Sequence, residues 1–241
     1  MFIKKILFFF ILILFFSKGF CQNKKIISFS EAKRVLKKIY MDNPITIYCG
    51  CLFENNKPNL SSCGYISKKN NLRANRIEWE HIVPAQFLGK SFSEWTSGHP
   101  KCVKKNGKKF KGRNCAIKMN KQFRKMYVDM YNLYPSIGEI NQKRSNFSMG
   151  IIEGEKREFG KCDVELDRRI IEPKPDIRGD IARTYIYMDS VYPVKTIISV
   201  DHKELFNAWH KADPVDKWEC ERAKKIEKIQ GNRNEVVMKN C

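Results

Sequence analysis

Arg76-Ile-Glu-Trp-Glu-His-Ile-Val-Pro84 combines a strand, a break and most of the candidate chemistry of this chain. Its apolar residues favour an extended backbone. Pro84, with a fixed φ and no N–H, suits the first turn of a short helix. The segment therefore predicts a strand over 76–83 that runs into a helix. Glu78, Glu80 and His81 bring two carboxylates and an imidazole together in a chain short of acids. Neutral imidazole is the usual general base near pH 7, and a carboxylate holds hard divalent cations. On a regular strand Glu78 and Glu80 share one face while His81 takes the other. One site can use both only if the backbone turns there, and Pro84 gives a reason for a turn. Taken alone, the run is equally compatible with an edge strand carrying solvated charges.

Upstream, Ser28-Phe-Ser-Glu31 is a capping-box pattern. It predicts a helix through about Tyr40 with Ala32, Val35, Leu36 and Ile39 on one face. Ile45-Thr-Ile-Tyr48 reads as a strand carrying Cys49 and Cys51, and 54–62 as a polar loop. Downstream, 90–113 is rich in Lys and Gly and reads as a long exposed basic loop. A helix follows over 120–131, with Phe123, Met126, Tyr127 and Met130 as core. A strand is expected over 162–171, then helices over 177–192, 200–211 and 214–230, with Gly231 as the last cap. No repeat or linker interrupts the chain. These expectations describe one α+β (mixed α/β) domain with a small sheet and several helices.

Lys4 and Lys5 precede an unbroken apolar run from Ile6 to Phe16, and then Ser17-Lys18-Gly19-Phe20-Cys21. This is the layout of a cleaved secretory leader, with cleavage after Gly19 or Cys21. A membrane anchor needs about 20 apolar residues, so none is expected. The expected division is a leader over 1–21 and a mature domain over 22–241, placed in the periplasm or outside the cell. Of nine cysteines, eight remain after Cys21. In an oxidising compartment these imply four disulfides among about 105 possible pairings. Cys102 with Cys115 is the local pairing expected. The rival is a zinc site on Cys49, Cys51 and Cys63, although Cys-x-Cys is tighter than zinc spacing favours. The net charge is +20, and loss of the three leader lysines leaves +17. Such an excess suits a polyanion, because Lys and Arg release the counterions condensed on phosphates. Charge alone does not imply catalysis. His99, His202 and His210 read as surface or packing histidines.

Cys49-Gly-Cys51, Ser62-Cys-Gly-Tyr65, Arg76–Pro84, Pro135-Ser-Ile-Gly-Glu-Ile-Asn141, Ile181-Ala-Arg-Thr-Tyr185, Leu205-Phe-Asn-Ala-Trp209 and Trp218-Glu-Cys-Glu-Arg222 stand in the order found in one family. Over essentially the whole mature chain the sequence resembles the endonuclease I family of periplasmic and secreted nucleases. The resemblance implies a site like that of ββα-metal nucleases and cleavage of DNA and RNA with little sequence preference. It also implies a divalent cation (Mg²⁺, with Mn²⁺ or Ca²⁺ as alternatives) and 5′-phosphate products; the chain is expected to be monomeric. The resemblance makes His81 the general base, Glu80 and Asn141 the metal ligands, and Arg113 the candidate for a phosphate-binding arginine. The family commonly has Arg-Lys-Asn-Cys where this chain has Gly112-Arg-Asn-Cys115, so either the loop is one residue shorter or another cation does that work. Asn132 matches a family position beside the site and reads as a hydrogen-bonding residue. Lys104, Lys105, Lys108, Lys109 and Lys111 either extend a nucleic-acid surface or are simply solvated. The competing class is a non-catalytic, cationic secreted protein that binds nucleic acid or another polyanion.

Overall fold

The computed structural model describes residues 22–68, 71–154, 156–192, 194 and 197–241; the expected leader lies outside the described residues. Helix α1 (Phe29–Ile39) begins at the predicted cap, where Ser28 Oγ accepts from the Glu31 N–H at 3.2 Å. Ala32, Leu36 and Ile39 face the core. The strand expected over 45–48 does not form. Ile45 makes a single bridge to Leu52 and the chain then turns tightly. Gly50, at φ +67°, allows the turn, and Thr46 Oγ1 braces it by accepting from the Cys51 N–H at 2.9 Å. Disulfides then draw Cys49 to Cys162 and Cys51 to Cys63, which removes the zinc alternative. A short hairpin, β1 (Phe53–Glu54) and β2 (Lys57–Pro58), follows.

Strand β3 (Ile77–His81) lies within the predicted segment. Pro84 caps the next helix, α2 (Ala85–Gly89), from just outside rather than sitting in its first turn. The basic stretch is less open than expected. It contains α3 (Ser93–Thr96) and a bridge between Val103 and Lys109, and Cys102–Cys115 pins it to α4 (Arg113–Met119) as foreseen. The single helix expected over 120–131 is broken. Helix α5 (Lys121–Tyr127) stops, and a 3-10 turn, Met130–Asn132, takes over. Asp129 explains the break, because its buried carboxylate caps the 3-10 turn and accepts from the Tyr187 and Tyr192 hydroxyls at 2.9 and 2.6 Å. Satisfying a buried carboxylate outweighs continuing a helix.

Strand β4 (Leu133–Ile137) pairs antiparallel with β3, setting Glu80 opposite Tyr134 and His81 opposite Leu133. Pro135 is tolerated in this ribbon because its polar edge faces away from β3. Its carbonyl accepts from the Ile47 N–H at 2.8 Å. Helix α6 (Gly138–Arg144) follows without a loop. Next come β5 (Ser148–Met149), β6 (Val164–Asp167) and β7 (Ile170–Pro173), joined in the order β5-β7-β6. The one strand expected over 162–171 is thus a hairpin, turned by Arg168 and Arg169 at φ +40° and +69°. Among the described residues there are three small sheets rather than one.

Helices α7 (Arg178–Val191), α8 (Val200–Ala212), α9 (Lys217–Gln230) and α10 (Glu235–Met238) complete the chain. The opening of α9 is a capping box of Asp216 and Glu219, so it begins beyond Pro214, and Gly231 at φ +82° ends it. Most of α7 is buried, and α8, α10 and the 130–132 turn pack on it. Cys220–Cys241 ties α9 to the C-terminus. One continuous apolar core joins α1 to α10, so the architecture is the expected single, disulfide-stapled α+β domain. No helix of the described residues is long and apolar enough to cross a membrane.

Candidate active site

Strands β3 and β4 with helix α6 form a ββα unit, and its open side is a cleft of about 650 Å³. Glu78, Glu80, His81, Asn141, Arg144, Arg113 and Tyr127 all line it. Alternation along β3 is regular through His81, so the backbone does not turn where the sequence reading required it. The chain bends only beyond, at Ile82 and Val83. Both faces serve one cleft, because all five residues of β3, from Ile77 to His81, line it. The carboxylates reach it from the α6 side. His81 reaches it from the side covered by Phe29 and Tyr127, whose rings it stacks on at 5.3 and 4.7 Å.

His81 Nε2 lies 2.8 Å from the Tyr127 carbonyl oxygen. A carbonyl only accepts, so Nε2 carries the proton and Nδ1 keeps its lone pair. Burial between the two rings lowers the His81 pKa to about 4, against the opposing effect of the Tyr127 bond, and the positive charges of Arg113 and Arg144 lower it further. The imidazole is therefore neutral at physiological pH.

Glu80 is 2% exposed and Arg144 1%. Arg144 Nη1 donates to Glu80 Oε1 at 2.8 Å and to the His81 carbonyl at 2.7 Å, and Nη2 donates to the Ile82 carbonyl at 2.6 Å. Tyr48 adds a hydroxyl to the same Glu80 oxygen at 3.1 Å. Burial pushes the Glu80 carboxyl up, while the charge of Arg144 and the Tyr48 hydrogen bond pull it back. Its Oε2 accepts no hydrogen bond among the described residues. Asn141 sits one turn before Arg144 on α6 and donates from Nδ2 to Glu78 Oε2 at 2.9 Å, while its Oδ1 accepts no hydrogen bond among the described residues.

No group of three or more His, Cys, Asp or Glu side chains among the described residues could hold a metal ion. Glu80 Oε2 and Asn141 Oδ1 are one anionic and one neutral oxygen. Such a pair suits a hard cation that keeps water or phosphate oxygens for the rest of its shell. Arg113, the first residue of α4, is exposed, and its guanidinium lies 5.8 Å from the Tyr127 ring centroid. Lys33 and Lys37 from α1 and Arg73 extend the positive lining. Of the loop lysines, Lys109 and Lys111 flank a separate depression with His99 and Phe110.

A family model described as Endonuclease I matches residues 17–241. The chain belongs to the endonuclease I family. Among relatives of this family member, the Endonuclease-1 of Buchnera aphidicola subsp. Acyrthosiphon pisum (strain APS) is 42% identical over 239 residues, covering 95% of this chain and 89% of that protein. An extracellular deoxyribonuclease of Aeromonas hydrophila is 40% identical over 221 residues, 89% of each chain. A periplasmic deoxyribonuclease of the same species is 39% identical, covering 89% of this chain and 86% of its own.

The structure brings all four expected site residues of this family member to one cleft. It also supplies partners that sequence reasoning missed. Arg144 had a signal, since it follows Asn141 by one helical turn. Tyr48 had none, because only tertiary packing brings it to Glu80. Asn132, expected as a hydrogen-bonding residue, pairs with both backbone polar groups of Val83, two residues beyond His81.

Proposed function

We propose that this chain is an exported, monomeric endonuclease that hydrolyses phosphodiester bonds of DNA, and of RNA, with little sequence preference. The observation that carries the reading is the His81 ring. Its Nε2–H is committed to the Tyr127 carbonyl and its Nδ1 lone pair is unprotonated in a basic cleft. That is the state a general base needs. The names of the Aeromonas relatives, extracellular and periplasmic deoxyribonuclease, support the substrate class and the export expected from the leader.

In this reading Nδ1 of His81 takes a proton from water, and the resulting hydroxide attacks phosphorus. The P–O3′ bond breaks, the departing 3′-oxygen is protonated from solvent, and the phosphate stays on the 5′ side. Arg113 pairs with a non-bridging phosphate oxygen as charge accumulates there. Glu80 and Asn141 would hold the divalent cation, Mg²⁺ with Mn²⁺ or Ca²⁺ as alternatives, and when bound it neutralises charge on the phosphate and the leaving oxygen. Arg144 keeps the Glu80 carboxylate and the His81 backbone in register. Lys33, Lys37 and Arg73 contact the sugar–phosphate chain. Phosphate contacts position a duplex without reading its bases, hence the tolerance of sequence.

Nicking of supercoiled plasmid tests the reading. Mg²⁺ should support cleavage, and EDTA, His81→Ala and Glu80→Gln should abolish it. A protein that retards plasmid in Mg²⁺ but leaves it supercoiled is a cationic binder, and the nuclease reading is then wrong.

A further inference from the structure

Glu78 has no part in the chemistry above, yet it is the most heavily restrained carboxylate at the cleft. Arg73 Nε donates to Oε1 at 2.8 Å and Arg73 Nη2 bonds Oε2, while Arg76 reaches Oε1 from Nε and Nη2, each at 2.8 Å. Two guanidinium groups therefore already match its charge, which disfavours Glu78 as a ligand for a third cation. Its remaining contact is the 2.9 Å bond that Oε2 accepts from Asn141 Nδ2.

An asparagine amide is nearly symmetric in shape, and turning it over exchanges an oxygen for an N–H₂ group. Oxygen can face a cation and N–H₂ cannot. A carboxylate only accepts, so it tolerates one of the two orientations. The backbone is shaped to permit the contact. Gly138 begins α6 directly over this pair, and a Cβ there would lie 2.6 Å from the Arg73 carbonyl oxygen and 3.0 Å from Glu78 Oε1. Any side chain at 138 would push α6, and Asn141 with it, away from Glu78.

We propose that Glu78 is a positioning residue for the cation site: clamped by Arg73 and Arg76, it holds the Asn141 amide by its nitrogen and so presents Oδ1 to the cleft. This rests on the reading of Glu80 and Asn141 as ligands. It also gives the two carboxylates of β3 separate tasks, Glu80 touching the ion and Glu78 orienting the other ligand.

The test is Mn²⁺ binding to the full mature protein, measured calorimetrically without nucleic acid. Glu78→Gln leaves one good acceptor for two guanidinium groups and an amide. The Mn²⁺ Kd should rise about 10-fold, the lower end of what loss of an outer-sphere partner causes. The acid limb of the activity profile, set by His81, should stay in place. Adding Asn141→Asp to Glu78→Gln exchanges donor and acceptor across the pair at constant charge and should recover most of the affinity. A wild-type Kd in folded Glu78→Gln overturns the inference. No Mn²⁺ uptake by the wild-type protein overturns instead the ligand assignment beneath it. If circular dichroism shows Glu78→Gln unfolded, Glu78→Asp takes its place. It keeps the charge and withdraws the carboxylate by one methylene, and the same rise is expected and the same unchanged Kd refutes.

Discussion

Replacing Asn132 with alanine should destabilise the fold and misplace the base at once. Asn132 and Val83 are both fully buried. Asn132 Oδ1 accepts from the Val83 N–H at 2.7 Å, and Nδ2 donates to the Val83 carbonyl at 3.0 Å. The alanine leaves a buried donor and a buried acceptor unpaired, at about 1–3 kcal/mol each. The combined cost is then about 2–6 kcal/mol, which for a chain of this size lowers Tm by roughly 10 °C. Because Val83 lies two residues beyond His81, kcat should also fall in conditions where the variant is fully folded. Asn132→Asp is the informative companion. It keeps the acceptor for the N–H but sets an oxygen against the Val83 carbonyl, so it should recover little. Differential scanning calorimetry with the disulfides intact gives the stability, and plasmid nicking well below Tm gives the rate. A Tm within 2 °C of wild type for Asn132→Ala would mean that Val83 finds other partners, and the argument would fail.

With His81 titrating at about 4 instead of 6.5, the acid limb of kcat/KM should lie near pH 4, whereas a limb near 6.5 would show that its burial does not persist in solution. The same shift acts on stability. A His whose folded pKa is depressed favours the folded state fully above about pH 6.5, and that contribution is lost as pH falls through about 4. In EDTA, His81→Gln should therefore flatten the stability profile within that window. Arg113→Ala should lower kcat about 100-fold, as loss of one charge-stabilising donor does, with KM changed far less; an unchanged kcat would exclude Arg113 from the phosphate. Removing Cys49–Cys162, which closes 113 residues, should destabilise more than removing Cys102–Cys115, which closes 13, since chain-entropy costs are about 5 and about 3 kcal/mol for loops of those sizes. Equal losses in urea unfolding would count against that account.

Elements with a local cause were legible in advance. Helices α1 and α9 are bounded by cap residues within a few positions of their ends, and Cys102–Cys115 closes a short loop. The misreadings share a different cause. Ile45–Tyr48 has strand-forming residues but turns, because Cys49 and Cys51 just after it are drawn to Cys162 and Cys63. The 120–131 helix stops where Asp129 finds two tyrosine hydroxyls from far along the chain. The 162–171 strand folds back at two arginines whose type gives no hint of a left-handed backbone.

At the site, the nine residues from Arg76 to Pro84 named the base and a carboxylate beside it, because imidazole and carboxylate chemistry are properties of residue type. They could not show how groups on opposite faces of a strand reach one cleft, since that depends on what packs against each face. Nor could they give Glu78 and Glu80 different work. That division follows from Arg73, Arg76 and Arg144, and a charge acquires a task only when the fold places its counter-charge. Sequence alone determined the chemical groups, the export expectation and the family resemblance. Tertiary structure decided the tautomer of His81, the pairing of Glu80 with Arg144 and that of Glu78 with Asn141, because these contacts join residues 46, 64 and 63 positions apart.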